Sequence, residues 1–280
     1  MRFLYHPDTV LTASELETLA ESLLEEIQIP GVEVAAFDSG IIRRTLLQAA
    51  VDQKSIKAVT DTTRETYSDD YTLAQLHTVP PAELELLVNN LFAQQAAMIL
   101  GPGPRIICLD FVDIHYHGCP HVEKGELCHT KPRDGTSKYH RYFAGFVLCR
   151  AKPLVVAVTP VRGDETTSDA VERLLDHVVA LPFEVAGLLV DRGFYNGASI
   201  ERLSAVAPVA LPIIRRGKQM AEKLDTTISC WEEYVMYEGS KRELRFQLAV
   251  CVSYQQGNRN KHSSLVKESQ DSSTITSLCK

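Results

Sequence analysis

The apolar positions of this chain change period near residue 100. Before that point they recur every three or four residues. In "LTASELETLAESLLEEIQIP", Leu16, Leu19, Leu23, Leu24 and Ile27 fall on one helical stripe. Thr12 and Glu15 have the spacing of a capping box, and Pro30 stops the run. "IIRRTLLQAAV", "TLAQLHTV" and "PAELELLVNNLFAQQAAMIL" predict further helices, the last opened by Pro80 and Pro81. "GPGP" at 101–104 is a break. Beyond it the runs shorten and become β-branched. "RIICLDFVDIHY", "YHRYFAGFVLCR" and "PLVVAVTPV" predict three strands, the last two joined by "AKP". "TTSDAVERLLDHVVAL" predicts an amphipathic helix with Ala170, Leu174, Leu175 and Val178 on one face. "EVAGLLVD", "NGASIERLSAV" and "PVALPII" then predict strand, helix and strand. From residue 219, "ISCWEEYVMYEG" and "RELRFQLAVCVSY" alternate as a hairpin would, with Gly239 in the turn.

These elements predict an α/β fold in four parts. Residues 1–100 form a helical N-terminal region, 105–218 an α/β core, and 219–262 a β-rich segment. From Ser263 the chain carries eight Ser/Thr among eighteen residues and no period, which predicts a disordered tail over 263–280.

Composition narrows the class. A chain of 280 residues with 45% hydrophobic content suits one large domain or two smaller ones. No apolar run approaches the roughly 20 residues needed to cross a bilayer, and the N-terminus lacks a secretory segment. The expectation is a soluble intracellular protein. Seven scattered cysteines read as reduced thiols rather than a disulfide framework. The net charge of −7 argues against general nucleic-acid affinity, but it is uneven. Residues 1–100 hold 6 Lys+Arg against 15 Asp+Glu, a balance of −9, and residues 101–280 hold 23 against 21, a balance of +2.

Two acids stand out. Asp110 ends the apolar run of the first strand and Asp191 that of the fourth. In α/β sheets ligands gather at the C-terminal ends of strands. If these two strands are adjacent and parallel, the carboxylates come close enough to share a divalent cation, which would relieve their repulsion. Hard oxygen donors favour Mg2+ or Mn2+. The plainer alternative makes Asp191 a turn cap or a partner of Arg192. Asp113, three positions after Asp110, points to the other face of its strand and is given no chemistry. Asp164 is expected to cap a helix.

The segments "LDFVDIHYHG", "TKPRDGTSKYHRYFAGFVL", "VVAVTPVRGDETTSDAV", "LLVDRGFYNGASIERL" and "LPIIRRGK" resemble insertion-sequence transposases of the DDE class, over roughly residues 40–262. The nearest branch is the one widespread in archaea. The resemblance implies a ribonuclease-H-like mixed sheet with a β-rich insertion over 219–262. It implies that Asp110 and Asp191 are the first two catalytic acids and hold Mg2+ or Mn2+ for phosphodiester cleavage and strand transfer. The implied partner is DNA, at transposon terminal inverted repeats, with self-association on it, in the cytoplasm at the nucleoid. Lys138, His140, Arg141, Arg192, Arg215, Arg216 and Lys218 become candidates for phosphate contacts, and the helices of residues 40–100 for binding DNA ends. The family's third acid, a Glu in a pattern of Tyr, two residues, Arg, three residues, Glu, six residues and Lys, is not found. Tyr254 is followed by "QQGNR", and Glu268 stands in the Ser/Thr-rich tail. The expectation is therefore a truncated or frame-shifted transposase with impaired chemistry, or a remnant that only binds DNA ends. A zinc module is a further alternative, because His115, His117, Cys119, His121, Cys128 and His129 crowd into fifteen residues without a C-x2-C spacing.

Overall fold

The computed structural model describes residues 38–118, 125–148, 153–213, 218–226, 228–255 and 258–267, with isolated residues at 20, 21, 24 and 25. The chain forms two compact units, residues 1–91 and 92–280. The division falls inside a helix rather than at "GPGP", although Gly101 and Gly103 do take positive φ there.

The first unit is helical. The helices are α1 (Ser39–Asp52), α2 (Ile56–Thr60), α3 (Asp69–Leu76) and the start of α4 (Pro81–Leu100). Asp38, Ser55 and Ser68 cap the first three by accepting from backbone N–H groups of their first turns. Ile42, Thr45 and Ala49 form the buried stripe of α1. The predicted helix over residues 11–30 lies almost wholly outside the described residues.

The second unit is a mixed α/β body. Its strands are β1 (Arg105–His115), β2 (Cys128–Arg133), β3 (Thr136–Leu148), β4 (Pro153–Val161), β5 (Val185–Val190), β6 (Val209–Pro212), β7 (Cys230–Met236), β8 (Leu244–Gln255) and β9 (Asn258–Lys267). They build one sheet in the order β2-β3-β1-β5-β6-β9-β8-β7, with β4 also paired to β3. β1 runs antiparallel to β3 and parallel to β5, and β5 is parallel to β6. Helices α5 (Thr167–Val179), α6 (Gly197–Val206) and α7 (Lys218–Lys223) complete the unit.

One face of the central strands is closed. Ile107, Leu109, Phe143 and Val147 are buried on it, together with Ala170, Leu174 and Val178 of α5. Arg173 of α5 donates to the Thr159 hydroxyl and the Pro160 carbonyl of β4, which fixes the helix on that side. Gly145 lies directly opposite Leu109 in the register. A Cβ there would come within 3.2 Å of the Leu109 side chain, so the strands' close contact on this face uses the missing carbon.

Three expectations change. The α5 cap is Thr166, in a reciprocal box with Asp169, not Asp164, which pairs with Arg162 at 3.6 Å. Strand β2 was not expected, because "CHTKPR" has no apolar alternation. It is set by the hairpin turn at Asp134-Gly135, whose φ values of 47° and 82° match a primed turn. The tail assigned to disorder from Ser263 is corrected for residues 263–267, whose backbone pairs with β6 at 264–267 and with β8 at 263–266. β7–β9, which cover the segment expected to be β-rich, extend the central sheet through β6 and β9.

Candidate functional site

β1 and β5 are adjacent and parallel, and their register pairs Leu109 with Val190. Asp110 is the next residue of β1, in mid-strand and paired with Ala144 of β3, and Asp191 is the first residue after β5, still extended at φ −78° and ψ 174°. Side chains alternate across a strand, so both acids leave the sheet on the face opposite buried Leu109 and Val190. Adjacent strands lie about 4.8 Å apart, which sets the scale of the acids' separation. Both residues are exposed.

Each carboxylate is held locally. Asp110 Oδ1 accepts from the Phe111 N–H at 2.8 Å. Asp191 Oδ1 accepts from the Gly193 N–H at 2.6 Å and caps a 3-10 turn, Arg192–Phe194. The turn-cap role and the juxtaposition with Asp110 therefore coexist. Among the described residues neither acid has an ion pair, and Arg192 does not pair with Asp191. Two exposed carboxylates with one oxygen each outside any internal bond are a hard donor set that fits Mg2+ or Mn2+. Among the described residues no third His, Cys, Asp or Glu joins them in a metal-sized group.

Asp113 behaves differently. Its two oxygens accept from Arg141 Nε at 2.6 Å and Arg141 Nη2 at 2.8 Å, across a directly paired position of β1 and β3. That bidentate contact, more than any other, holds the Asp113 carboxyl below its ordinary pKa. The same guanidinium lies 5.4 Å from the Phe111 ring centre. Arg141 is thus engaged inside the fold, on the face away from Asp110 and Asp191, which weakens its assignment as a DNA contact.

The other cations are scattered. Lys138 and His140 alternate with Tyr139 and Arg141 on β3, so they share the face of Asp110. His140 lies opposite Ile114, four residues beyond Asp110, and meets Tyr116 edge-on at 5.1 Å. At about 3.3 Å per residue that places it roughly 13 Å along the sheet. Arg192 is exposed at the start of the 3-10 turn. Lys218 opens α7, exposed, 3.8 Å from Glu222. Arg215 and Arg216 lie outside the described residues.

The His/Cys cluster does not assemble among the described residues. Cys128 is buried, its thiol donates to the Val161 carbonyl at 3.5 Å, and burial pushes its pKa up. A thiol held this way is a poor zinc ligand. His115 packs on Tyr139 and sits 3.5 Å from Asp134, while its ring centre is 6.5 Å from that of His117. His129 is next to Cys128 on β2 and so points to the other face. Cys119 and His121 lie outside the described residues.

Sequence reasoning passed over the rings beside the acids. Phe111 follows Asp110 and Phe194 closes the turn that Asp191 caps. These rings and Phe143 stand 4.9 Å apart, centre to centre, in all three pairs. Tyr195, the next residue, is hydrogen-bonded to Tyr234 of β7, and its pKa is raised mainly by burial.

No family model and no curated protein matches this chain. Among solved structures it is similar to a piggyBac transposase synaptic complex with hairpin DNA, with a TM-score of 0.43 and 12% identity over 98% of this chain and 57% of that one. It is also similar to the Drosophila P element transposase strand transfer complex, with a TM-score of 0.31 and 13% identity over 68% of this chain and 42% of that one. The chain thus spans little more than half the length of the first and under half of the second. No helix among the described residues is long and apolar enough to cross a membrane.

Proposed function

We propose that the chain is a DDE-type transposase with a ribonuclease-H-like core, in which Asp110 and Asp191 are two of the catalytic acids. The observation that carries this reading is their position, one residue past the paired Leu109 and Val190 on adjacent parallel strands. The motifs that resemble insertion-sequence transposases converge on the same two residues. A β1 flanked by antiparallel β3 and parallel β5 supports the core assignment. The substrate would be duplex DNA at terminal inverted repeats, bound by a self-associated protein. Lys138, His140 and Arg192 are the described cations that could hold its phosphates.

Asp110 and Asp191 would hold Mg2+ or Mn2+, and a bound pair of such ions would clamp the attacking and leaving oxygens of phosphoryl transfer. The protein's own share is to orient the two carboxylates through the Phe111 and Gly193 N–H groups. In the reaction the oxygen of water or of a 3′ hydroxyl bonds to phosphorus, and the bond from phosphorus to the leaving 3′ oxygen breaks.

The test is cleavage of duplexes carrying the inverted repeats that flank the coding DNA, with Mn2+. Cleavage that disappears in Asp110→Ala and Asp191→Ala is the expected result, and robust cleavage by Asp191→Ala would refute the assignment. A second reading, end binding without cleavage, is favoured by the lack of a third acid beside the pair among the described residues. A gel shift on the same duplexes with no cleavage by the parent protein would select it.

A further inference from the structure

The two acids are carried by separate stretches of chain, and Asp191, one residue past the last rung of β5, is not fixed by the sheet register alone. Three rings lie directly behind them. Phe111 and Phe143 are paired across β1 and β3 in the register, with ring centres 4.9 Å apart. Phe194 enters from the 3-10 turn and stacks on both, at 13° to Phe111 and 24° to Phe143. Phe143 and Phe194 are fully buried. Arg141, tied to Asp113, covers the Phe111 ring.

The backbone joins each ring to an acid. The Phe111 N–H donates to Asp110, and the turn that ends in Phe194 places the Gly193 N–H on Asp191. Moving either ring therefore moves the donor that orients a carboxylate. We infer that the stack of Phe111, Phe143 and Phe194 is a positioning device that sets Asp110 and Asp191 relative to each other, acting through the Phe111 and Gly193 amides. The three rings touch neither substrate nor metal. In its consequence for metal binding the inference rests on the reading that the two acids hold a divalent ion.

The experiment compares the full-length chain with Phe194→Leu, Phe111→Leu and Leu203→Ala, the last a change to a fully buried residue of the same core on α6. Mn2+ affinity is measured by titration of the free-ion electron paramagnetic resonance signal, and amide exchange of Phe111 and Gly193 by NMR. Outer-shell partners of metal ligands typically contribute a factor of 10–100 in affinity. The expected result is a loss of about tenfold in Mn2+ affinity in both Phe variants, with faster exchange of both amides. Leu203→Ala should lower thermal stability and leave affinity within about twofold and both amides as protected as in the parent. Equal affinity and exchange in the Phe variants and the parent would overturn the inference, as would an equal loss in Leu203→Ala. If the parent's Mn2+ binding is indifferent to Asp110→Asn and Asp191→Asn, the metal reading fails, and the amide exchange alone then decides the positioning role. Phe111→Leu keeps the test open should Phe194→Leu not fold, because Phe111 is only partly buried.

Discussion

The two faces of β1 and β3 alternate residue by residue along the same strands, yet they meet opposite fates. On one, Ile107, Leu109, Phe143 and Val147 are buried beneath α5, and the acid that falls there, Asp113, is gripped by both arms of Arg141. On the other, Val112 and Ile114 stay about half exposed, at 49% and 53%, and the acid that falls there, Asp110, has only a backbone N–H. The difference is one of partners rather than burial, because Asp113 is itself exposed. Arg141 stands at the directly paired position of β3 opposite Asp113, whereas Ala144 stands opposite Asp110. The open face tolerates a carboxylate whose remaining oxygen is free for something from solution.

The largest effect should separate the faces by activity. Asp110→Ala should lower metal-dependent cleavage by on the order of 10³-fold or more while changing unfolding free energy by less than about 0.5 kcal/mol, as an exposed substitution does. End-cleavage assays run beside urea unfolding would check both, and a large stability loss would erase the contrast. Next comes the closed face. Phe143→Ala should cost about 3–5 kcal/mol, the usual range for a buried ring, read as a shift of the urea midpoint.

The Asp113–Arg141 pair should contribute less. Exposed and half-exposed ion pairs give about 0.2–1 kcal/mol, and the bidentate geometry points to the upper end. The sign with pH follows from the shift. Because the folded Asp113 carboxyl lies below its ordinary value of 3.8, the pair's stabilisation is full above that pH and fades as pH falls through the folded value. Asp113→Asn should thus destabilise at pH 7, and that effect should shrink as pH falls below 3.8, by thermal melts across that range. The smallest effect belongs to the open face. Val112→Thr and Ile114→Thr should each shift stability by under about 0.5 kcal/mol, and a larger loss would mean that this face is covered in solution.

Much of this contrast was legible beforehand, for an identifiable reason. The alternation in "RIICLDFVDIH" places Asp110 and Asp113 on opposite faces, and the apolar run before Asp191 marks a strand end, whereas the run before Asp110 does not, because β1 continues to His115. The Asp134-Gly135 turn that sets β2 is an equally local signal. By contrast β9 carries no strand period in "NRNKHSSLVK". Its pairing with β6 and β8 is made by backbone groups, which side-chain patterns do not report. Arg141 could not be told from Lys138 or His140 as a free cation, because its partner is 28 residues away in the chain.

The amino-acid sequence by itself determined most helices and strands, β2 and β9 apart, and which face of β1 carries each acid, because periodicity and capping are local properties. Only the tertiary structure decided that β1 lies beside β5, that Asp113 is neutralised and Asp110 is not, and that Phe111, Phe143 and Phe194 meet behind the acids. Those outcomes depend on which strands become neighbours, and that choice is made by burying the whole core at once.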